Sequence, residues 1–166
     1  MKIGIVSDTH NNLKNVNRIV ELFNVSGVER VIHTGDITQA KTLDIFAHLD
    51  MPMYGVYGNN DEGERESLEA AVAGHGFVFQ EPPFVLEWHQ RTIMVVHDPL
   101  EFDGHLDHNH ELALHGHTHL YRYEELTVRG NRQVVFNPGE CAGHMKGFNS
   151  IGVLDLETLG AELLRF

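Results

Sequence analysis

The first third of the chain alternates between short apolar runs and segments with helical spacing. Residues 2–7 form one largely apolar run, and apolar side chains then recur at helical spacing from Leu13 to Phe23, with Gly27 as a stop signal. The same alternation predicts strands at residues 2–7, 30–33 and 53–57 and helices at 13–23, 42–49 and 65–73. Short strands linked by helices indicate parallel pairing through right-handed crossovers.

The rest of the chain favours strands. Strands are predicted at residues 84–88, 92–96, 112–115, 120–126, 133–137, 151–156 and 161–166, separated by turns rich in Gly, Asn and Asp. A helical half followed by a strand-rich half predicts two sheets packed face to face, with helices on the outer faces. Because no linker or repeat interrupts the pattern, we expect residues 1–166 to form one domain.

Composition narrows the class of protein. The chain is 42% hydrophobic and 22% charged, which is near the globular average and argues against disorder or a coiled coil. No apolar run approaches the ~20 residues of a membrane helix, and none resembles a signal-peptide core, so a cytoplasmic protein without membrane contact is expected. Cys141 is the only cysteine, so no intrachain disulfide can form.

Two features of the composition bear on function. The formal charge is -12, which disfavours binding to long nucleic acids because an acidic surface repels polyanions. The chain also carries 13 histidines, many of them close to Asp, Asn and Gly. Either a metal site or a solvated histidine-rich loop would account for this number.

Polar side chains able to bind metal follow five of the predicted strands. These residues are Asp8 with His10, Asp36, Asn59, His97, and His117 with His119. Ligand sites in open sheets gather outside the carboxyl ends of the strands, so the five segments are expected to converge. Their carboxylate, amide and imidazole groups suit Mn, Fe, Zn, Co or Ni, and not a thiolate zinc site.

Local geometry fits this hypothesis. An extended chain at Asp8-Thr9-His10 would let Asp8 and His10 face one ion, and glycines beside the other candidates would allow sharp turns.

Each candidate also has an ordinary explanation when taken alone. Asp8 fits the N-cap region of the following helix, Asp36 fits a turn, and Gly58-Asn59 resembles a hairpin turn. An isolated His97 is more often a satisfied core histidine than a ligand. The ordered series of five segments is what favours a metal site over these separate explanations.

This series resembles a known family. The motifs D-x-H at residues 8–10, G-D at 35–36, G-N-x-D at 58–61, the isolated His97 and G-H-T-H at 116–119 are similar to those of the calcineurin-like metallophosphoesterase superfamily. The similarity is closest to the small single-domain phosphodiesterases of bacteria and archaea. It implies an α/β fold, a four-layer αββα sandwich of two mixed sheets flanked by helices.

The resemblance also implies a division of metal ligands. One divalent ion would take Asp8, His10 and His119, the other Asn59, His97 and His117, and Asp36 would bridge both. Mn²⁺ is the expected metal, with Ni²⁺, Zn²⁺, Fe²⁺ or Co²⁺ as alternatives. The implied reaction is hydrolysis of small phosphodiesters by in-line attack of a hydroxide that bridges the two ions, with Asp36, Asn59 and Asn60 as the catalytic residues.

Four further positions are considered beside this pattern. Asn60 stands where many members of the superfamily have a histidine; it can donate a hydrogen bond to substrate as a weak binding residue, but cannot deliver a proton. Asp98 replaces a usual glycine and is expected to crowd the second ion or repel substrate. Glu140 is expected to be a solvated turn residue. His144 lies in a glycine-rich stretch and is a candidate for touching a phosphate.

Other functions remain open. The same fold serves as a protein-binding scaffold in the retromer complex, where the metal residues have partly decayed, so weak or vestigial activity is one alternative. Phosphomonoesterase and nuclease activities are others, and the acidic surface weighs against the nuclease. Every ligand position is filled here, which favours an enzyme. Small soluble proteins often form two-fold pairs, so a homodimer is an open expectation.

Overall fold

The computed structural model describes residues 1–166. Its strands are β1 (Lys2–Val6), β2 (Arg30–His33), β3 (Met53–Val56), β4 (Val78–Gln80), β5 (Phe84–Trp88), β6 (Arg91–Val95), β7 (Leu112–Leu114), β8 (Arg122–Val128), β9 (Asn131–Asn137), β10 (Ser150–Asp155) and β11 (Ala161–Arg165). Its α-helices are α1 (Leu13–Val25), α2 (Ala40–Phe46) and α3 (Arg65–His75). Two 3-10 helices span Asn59–Glu64 and Pro99–Phe102. No helix is both long and apolar enough to cross a bilayer.

The first sheet has the strand order β11-β10-β1-β2-β3-β4. Strands β1 to β4 run parallel and are joined by the three α-helices, as the alternation of the sequence predicts. Strand β10 pairs antiparallel with β1, and β11 antiparallel with β10. Four carboxyl ends of parallel strands therefore lie at one edge of this sheet.

The second sheet has the order β5-β6-β7-β9-β8. Its three central strands, β6, β7 and β9, run parallel, and the edge strands β5 and β8 are antiparallel to their neighbours. Both sheets are thus mixed. The prediction of an α/β fold built on two mixed sheets with flanking helices is confirmed.

The core lies between the two sheets. Alternate residues of the central strands face it, among them Ile3 and Ile5 of β1 and Ile93 and Val95 of β6, all fully buried. Full burial of one such side chain stabilises the fold by about 1.5–3 kcal/mol, so this interface holds the sheets together.

The outer layers differ between the two sheets. Val16, Ile19 and Phe23 of α1 pack on the outer face of the first sheet, as predicted for that helical stripe. On the second sheet the covering segment is the 3-10 helix with the loop after it, where the ring of Phe102 meets His115 edge-on. The outer layer there is short because no long helix follows β6.

Sequence and structure differ in a few elements. Strand β4 was absent from the prediction because it is short and its side chains are half-buried or exposed at a sheet edge. Helix α2 ends at Phe46 and not at residue 49. Strand β8 begins at Arg122 and not at residue 120, because the exposed Leu120 and Tyr121 still belong to the turn after β7.

Candidate metal centre

All seven predicted ligands lie just beyond the carboxyl ends of strands. Asp8 and His10 follow β1, Asp36 follows β2, Asn59 follows β3, His97 follows β6, and His117 and His119 follow β7. The first sheet thus contributes four of these side chains and the second sheet three. The packing of the sheets brings the two sets together at one edge of the molecule.

Four of the side chains form what we call the first metal site: Asp8, His10, Asp36 and His119. The Nε2 atom of His10 lies 3.2 Å from Oδ2 of Asp36 and 3.8 Å from Oδ1 of Asp8. The Nε2 atom of His119 lies 3.5 Å from the same Oδ1 of Asp8. Atoms that each sit about 2.1 Å from one ion are separated by about 3–4 Å, so the spacing suits a shared cation. The buried Nε2 of His10 makes no aligned hydrogen bond, as expected of a group aimed at a cation.

The second metal site comprises Asp36, Asn59, His97 and His117. Oδ1 of Asn59 lies 3.0 Å from Nε2 of His97 and 3.2 Å from Nδ1 of His117. Oδ1 of Asp36 lies 3.4 Å from Nε2 of His97, whereas its Oδ2 faces the first site. The carboxylate of Asp36 therefore points one oxygen into each site.

The donor set fits divalent transition metals. It consists of carboxylate, amide and imidazole groups, which Mn, Fe, Co, Ni and Zn accept. No thiolate is available, because Cys141 is fully buried and burial raises the pKa of its thiol.

The pKa values of these groups reflect their crowding. Burial raises the pKa of Asp36, but the imidazoles of His10 and His97 beside it outweigh burial and hold the pKa below its usual range. The neighbouring carboxylates of Asp36 and Asp8 favour the charged imidazole and raise the pKa of His10 to about 9. Burial lowers the pKa of His97, but Asp36 more than compensates and brings it to about 8. A cation entering the centre must displace protons from both imidazoles.

Five of the seven candidate ligands have left-handed backbone. The φ angles are 51° at Asp8, 41° at His10, 61° at Asp36, 66° at His117 and 58° at His119. The expected extended chain between Asp8 and His10 is therefore wrong: the backbone turns at both residues, and that turn directs both side chains inward. Non-glycine residues adopt this region at a cost, and such strain concentrates at functional sites.

Two positions must be glycine because side chains of other residues approach their backbone closely. A β-carbon at Gly58 would collide with Oδ1 of Asp36, and one at Gly116 would collide with Oγ of Ser7 and lie 2.8 Å from Oδ2 of Asp8. Both glycines thus let a neighbouring strand end come within contact of a candidate ligand.

A buried carboxylate braces the loops of the centre. Oδ2 of Asp61 accepts hydrogen bonds from the backbone N–H groups of Asp36, at 3.0 Å, and Gly58, at 2.7 Å. Its Oδ1 accepts from the N–H of Thr38 at 2.7 Å. The sequence indicates Asp61 only as the last residue of the G-N-x-D motif and predicts no role for it.

Asn60 and Asp98 take up defined positions beside the ligands. The side-chain amide of Asn60 donates to Oδ2 of Asp36 at 2.7 Å. Oδ1 of Asp98 accepts from the N–H of Leu100 and caps the 3-10 helix. Oδ2 of Asp98 lies 3.6 Å from Nε2 of His117, on the side of that ring turned away from Asn59. Asp98 therefore stands behind a ligand of the second metal site.

Glu140 is not a solvated turn residue. Its side chain is fully buried, and Oε2 lies 3.0 Å from Nδ1 of His119. The prediction was wrong because the local Pro138-Gly139 context indicates a turn, whereas the partner of Glu140 is 21 residues away in sequence. The ring of His144 stacks on that of His119 at 5.4 Å between centroids.

A cleft of about 490 Å³ opens beside the second metal site. Asn59, His97 and His117 lie on one side of it. The rest of the lining includes the acidic residues Glu62 and Glu81 and the basic residue Arg65. The centre is thus accessible to a small molecule from outside.

Comparison with known proteins agrees with this architecture. A family model described as the calcineurin-like phosphoesterase superfamily domain matches residues 1–159. A phosphodiesterase from Methanocaldococcus jannaschii is 34% identical over 95% of this chain and 94% of its own length.

Solved structures extend the comparison. An archaeal phosphodiesterase aligns with a TM-score of 0.86 at 32% identity, and the alignment covers 100% of both chains. The E. coli phosphoesterase YfcE aligns with a TM-score of 0.72 at 23% identity, over 99% of this chain and 98% of its own, which is a likeness of fold.

Proposed function

The chain belongs to the calcineurin-like phosphoesterase superfamily and is a phosphoesterase, and we propose that it hydrolyses small phosphodiesters at a centre of two divalent metal ions. The observation that carries the proposal is the shared carboxylate of Asp36, which turns one oxygen toward each of two ligand groups. The relative from Methanocaldococcus jannaschii, named a phosphodiesterase, supports the diester as substrate.

The seven candidate ligands would be divided between two cations. Asp8, His10 and His119 would hold one cation, Asn59, His97 and His117 the other, and Asp36 both. Bound in this way, the two cations would supply a hydroxide nucleophile near neutral pH and offset the negative charge of the phosphoryl oxygens. Mn²⁺ is the proposed metal because this oxygen and nitrogen donor set accepts it, with Ni²⁺, Zn²⁺, Fe²⁺ and Co²⁺ as alternatives.

Charge favours a small diester over other phosphates. A phosphodiester carries one negative charge, whereas a monoester carries nearly two at neutral pH, since its second pKa is about 6. The cleft beside the second metal site is lined by more acidic than basic side chains, since only Arg65 opposes the glutamates and Asp98, and the chain as a whole carries -12. The less charged ester meets less repulsion, and a long nucleic acid meets the most.

The scaffold alternative is supported less well. A scaffold needs no intact ligand set, whereas all seven positions here carry side chains able to bind metal. Their convergence in two groups favours retained turnover. A single domain over residues 1–166, a cytoplasmic location and a homodimer stay predictions from the sequence.

The test is hydrolysis of two nitrophenyl esters. With added Mn²⁺, Ni²⁺ or Zn²⁺ we expect bis-nitrophenyl phosphate to be cleaved faster than nitrophenyl phosphate. Asp36→Ala should reduce the diester rate by at least ~100-fold, since even residues behind a metal ligand cost up to that factor. Asp50→Ala, at an exposed aspartate, is the matched control. Full activity of Asp36→Ala would contradict the mechanism, and metal binding without turnover would favour the scaffold.

A further inference from the structure

Glu140 is a buried carboxylate beside a proposed metal ligand, and the division of ligands gives it no role. We propose that Glu140 is a positioning residue of the first metal site, which fixes the orientation and tautomer of the His119 ring. The inference rests on the proposed function, because it assumes that His119 binds a cation. It concerns a residue of this chain that holds a ligand in place without touching the substrate.

The two nitrogens of His119 face opposite partners. Nε2 lies 3.5 Å from Oδ1 of Asp8, inside the first metal site, and Nδ1 lies 3.0 Å from Oε2 of Glu140. A neutral imidazole carries one proton, and a carboxylate can only accept. The proton is therefore placed on Nδ1, which leaves the lone pair of Nε2 free for a cation and makes it more basic.

Another ligand of the centre is held in the same way by a different group. Nδ1 of His97 donates to the backbone carbonyl of Thr34 at 2.8 Å, and its Nε2 faces Asn59. A carbonyl thus sets the tautomer of His97, and Glu140 sets that of His119. The carboxylate adds a negative charge that the carbonyl lacks, so its effect on a nearby cation should be stronger.

The position of Glu140 leaves its side chain little freedom. Oε1 accepts a hydrogen bond from the N–H of Met145 at 2.5 Å, and the backbone carbonyl accepts from the N–H of Ser150 at 3.0 Å. Both carboxylate oxygens and the carbonyl are therefore engaged. Burying a carboxylate is costly unless it is compensated, and here the N–H of Met145 and Nδ1 of His119 each donate a hydrogen bond to one of its oxygens.

The same cluster invites a different explanation, a third cation site. Nδ1 of His144 lies 3.7 Å from Oε2 of Glu140, and ligand atoms of His119, Glu140 and His144 are close enough to share an ion. Such an ion would require both nitrogens of His119 to lose their protons while Nε2 also served the first metal site. A neutral imidazole cannot do both, so the positioning role is favoured.

In the second metal site, no carboxylate outside the proposed ligand set lies within hydrogen-bond distance of an imidazole. Asp98 faces Nε2 of His117 at 3.6 Å, which is beyond hydrogen-bond distance, and its side chain is 32% exposed. The effect of losing Glu140 should therefore be confined to the first metal site.

The experiment measures Mn²⁺ affinity in two single-site backgrounds by titration calorimetry. His117→Ala removes a ligand of the second metal site, and His10→Ala removes one of the first. In the His117→Ala background we expect Glu140→Ala to weaken binding by ~10–100-fold. Glu140→Gln should cost less, because its carbonyl still accepts from Nδ1 of His119. In the His10→Ala background neither change should alter the affinity.

Glu87→Gln, at an exposed glutamate of β5, is the matched control, and thermal unfolding without metal checks that each variant is folded. Should Glu140→Ala fail to fold, the nearly isosteric Glu140→Gln carries the test. Unchanged affinity, equal weakening in both backgrounds, or a third ion lost with Glu140 would each overturn the inference. If Glu140→Ala weakens Mn²⁺ binding at the first metal site alone but the wild type hydrolyses no diester, the positioning role of Glu140 is supported and the proposed function is refuted.

Discussion

At the scale of single residues, Asn60 limits which leaving groups the protein can release efficiently. Its amide donates to Oδ2 of Asp36 and its backbone N–H donates to Oδ1, so the residue supports the shared carboxylate. An amide cannot deliver a proton to a leaving group. We therefore expect the rate of the wild type to fall steeply as the pKa of the leaving alcohol rises.

Replacing Asn60 tests whether the missing proton donor limits the rate. Asn60→His would introduce a general acid, and we expect it to raise rates for alkoxide leaving groups by ~10²-fold while changing nitrophenolate esters little. The measurement is a series of diesters with leaving groups of graded pKa, compared between wild type and variant. A flat dependence in the wild type would refute the argument.

The imidazole pKa values predict how metal affinity depends on pH. In the metal-free chain His10, with a pKa of about 9, and His97, with a pKa of about 8, both carry a proton at neutral pH. Each cation must displace such a proton, so Mn²⁺ affinity should rise about tenfold per pH unit for each proton displaced. The rise should continue until pH passes both pKa values. Calorimetry in buffers of different ionisation heat counts the protons, and pH-independent affinity would contradict this account.

Individual residues also show what sequence reasoning can find. The seven candidate ligands could be picked out because each directly follows an apolar strand, a signal visible over a few neighbouring positions. Glu140 and Asp61 could not, because their roles depend on partners 21 and 25 residues away that only packing brings near.

At the scale of elements, ten of the eleven strands were predicted and β4 was missed. Strand β4 has half-buried and exposed side chains because it lies at a sheet edge, so it lacks the hydrophobic signal. The left-handed turns after β1, β2 and β7 were not foreseen either. Nothing in the local sequence requires the aspartates and histidines of these turns to adopt a left-handed backbone.

The loops that carry the ligands depend on the buried brace at Asp61. Asp61→Ala would leave the N–H groups of Asp36, Thr38 and Gly58 without their acceptor. Each buried unsatisfied donor costs about 1–3 kcal/mol, so we expect a loss of at least ~2 kcal/mol in the free energy of unfolding. Urea denaturation gives this value, with the exposed Asp103→Ala as control. A variant as stable as the wild type would show that other groups hold these loops.

At the scale of the whole molecule, the candidate centre exists only because two sheets meet. The first sheet supplies Asp8, His10, Asp36 and Asn59, and the second supplies the three remaining histidines. The pattern of the sequence predicts both sheets but not how one is oriented on the other. The family resemblance supplied that orientation, and with it the division of ligands.

The net charge of the molecule makes the centre distinctive. A chain of -12 repels anions in general, so binding of an anionic ester requires local positive charge. Two divalent cations would provide that charge at the meeting point of the sheets, where the acidic side chains Asp8 and Asp36 are buried. Substrate binding should accordingly depend on metal occupancy.

The most direct measurement of the central claim is an anomalous difference map, recorded at the manganese absorption edge from crystals grown with Mn²⁺. We predict two peaks per chain about 3.5–4 Å apart on either side of the Asp36 carboxylate, one beside His10 and His119 and the other beside Asn59 and His97. A single peak, no peak, or peaks away from Asp36 would contradict the account.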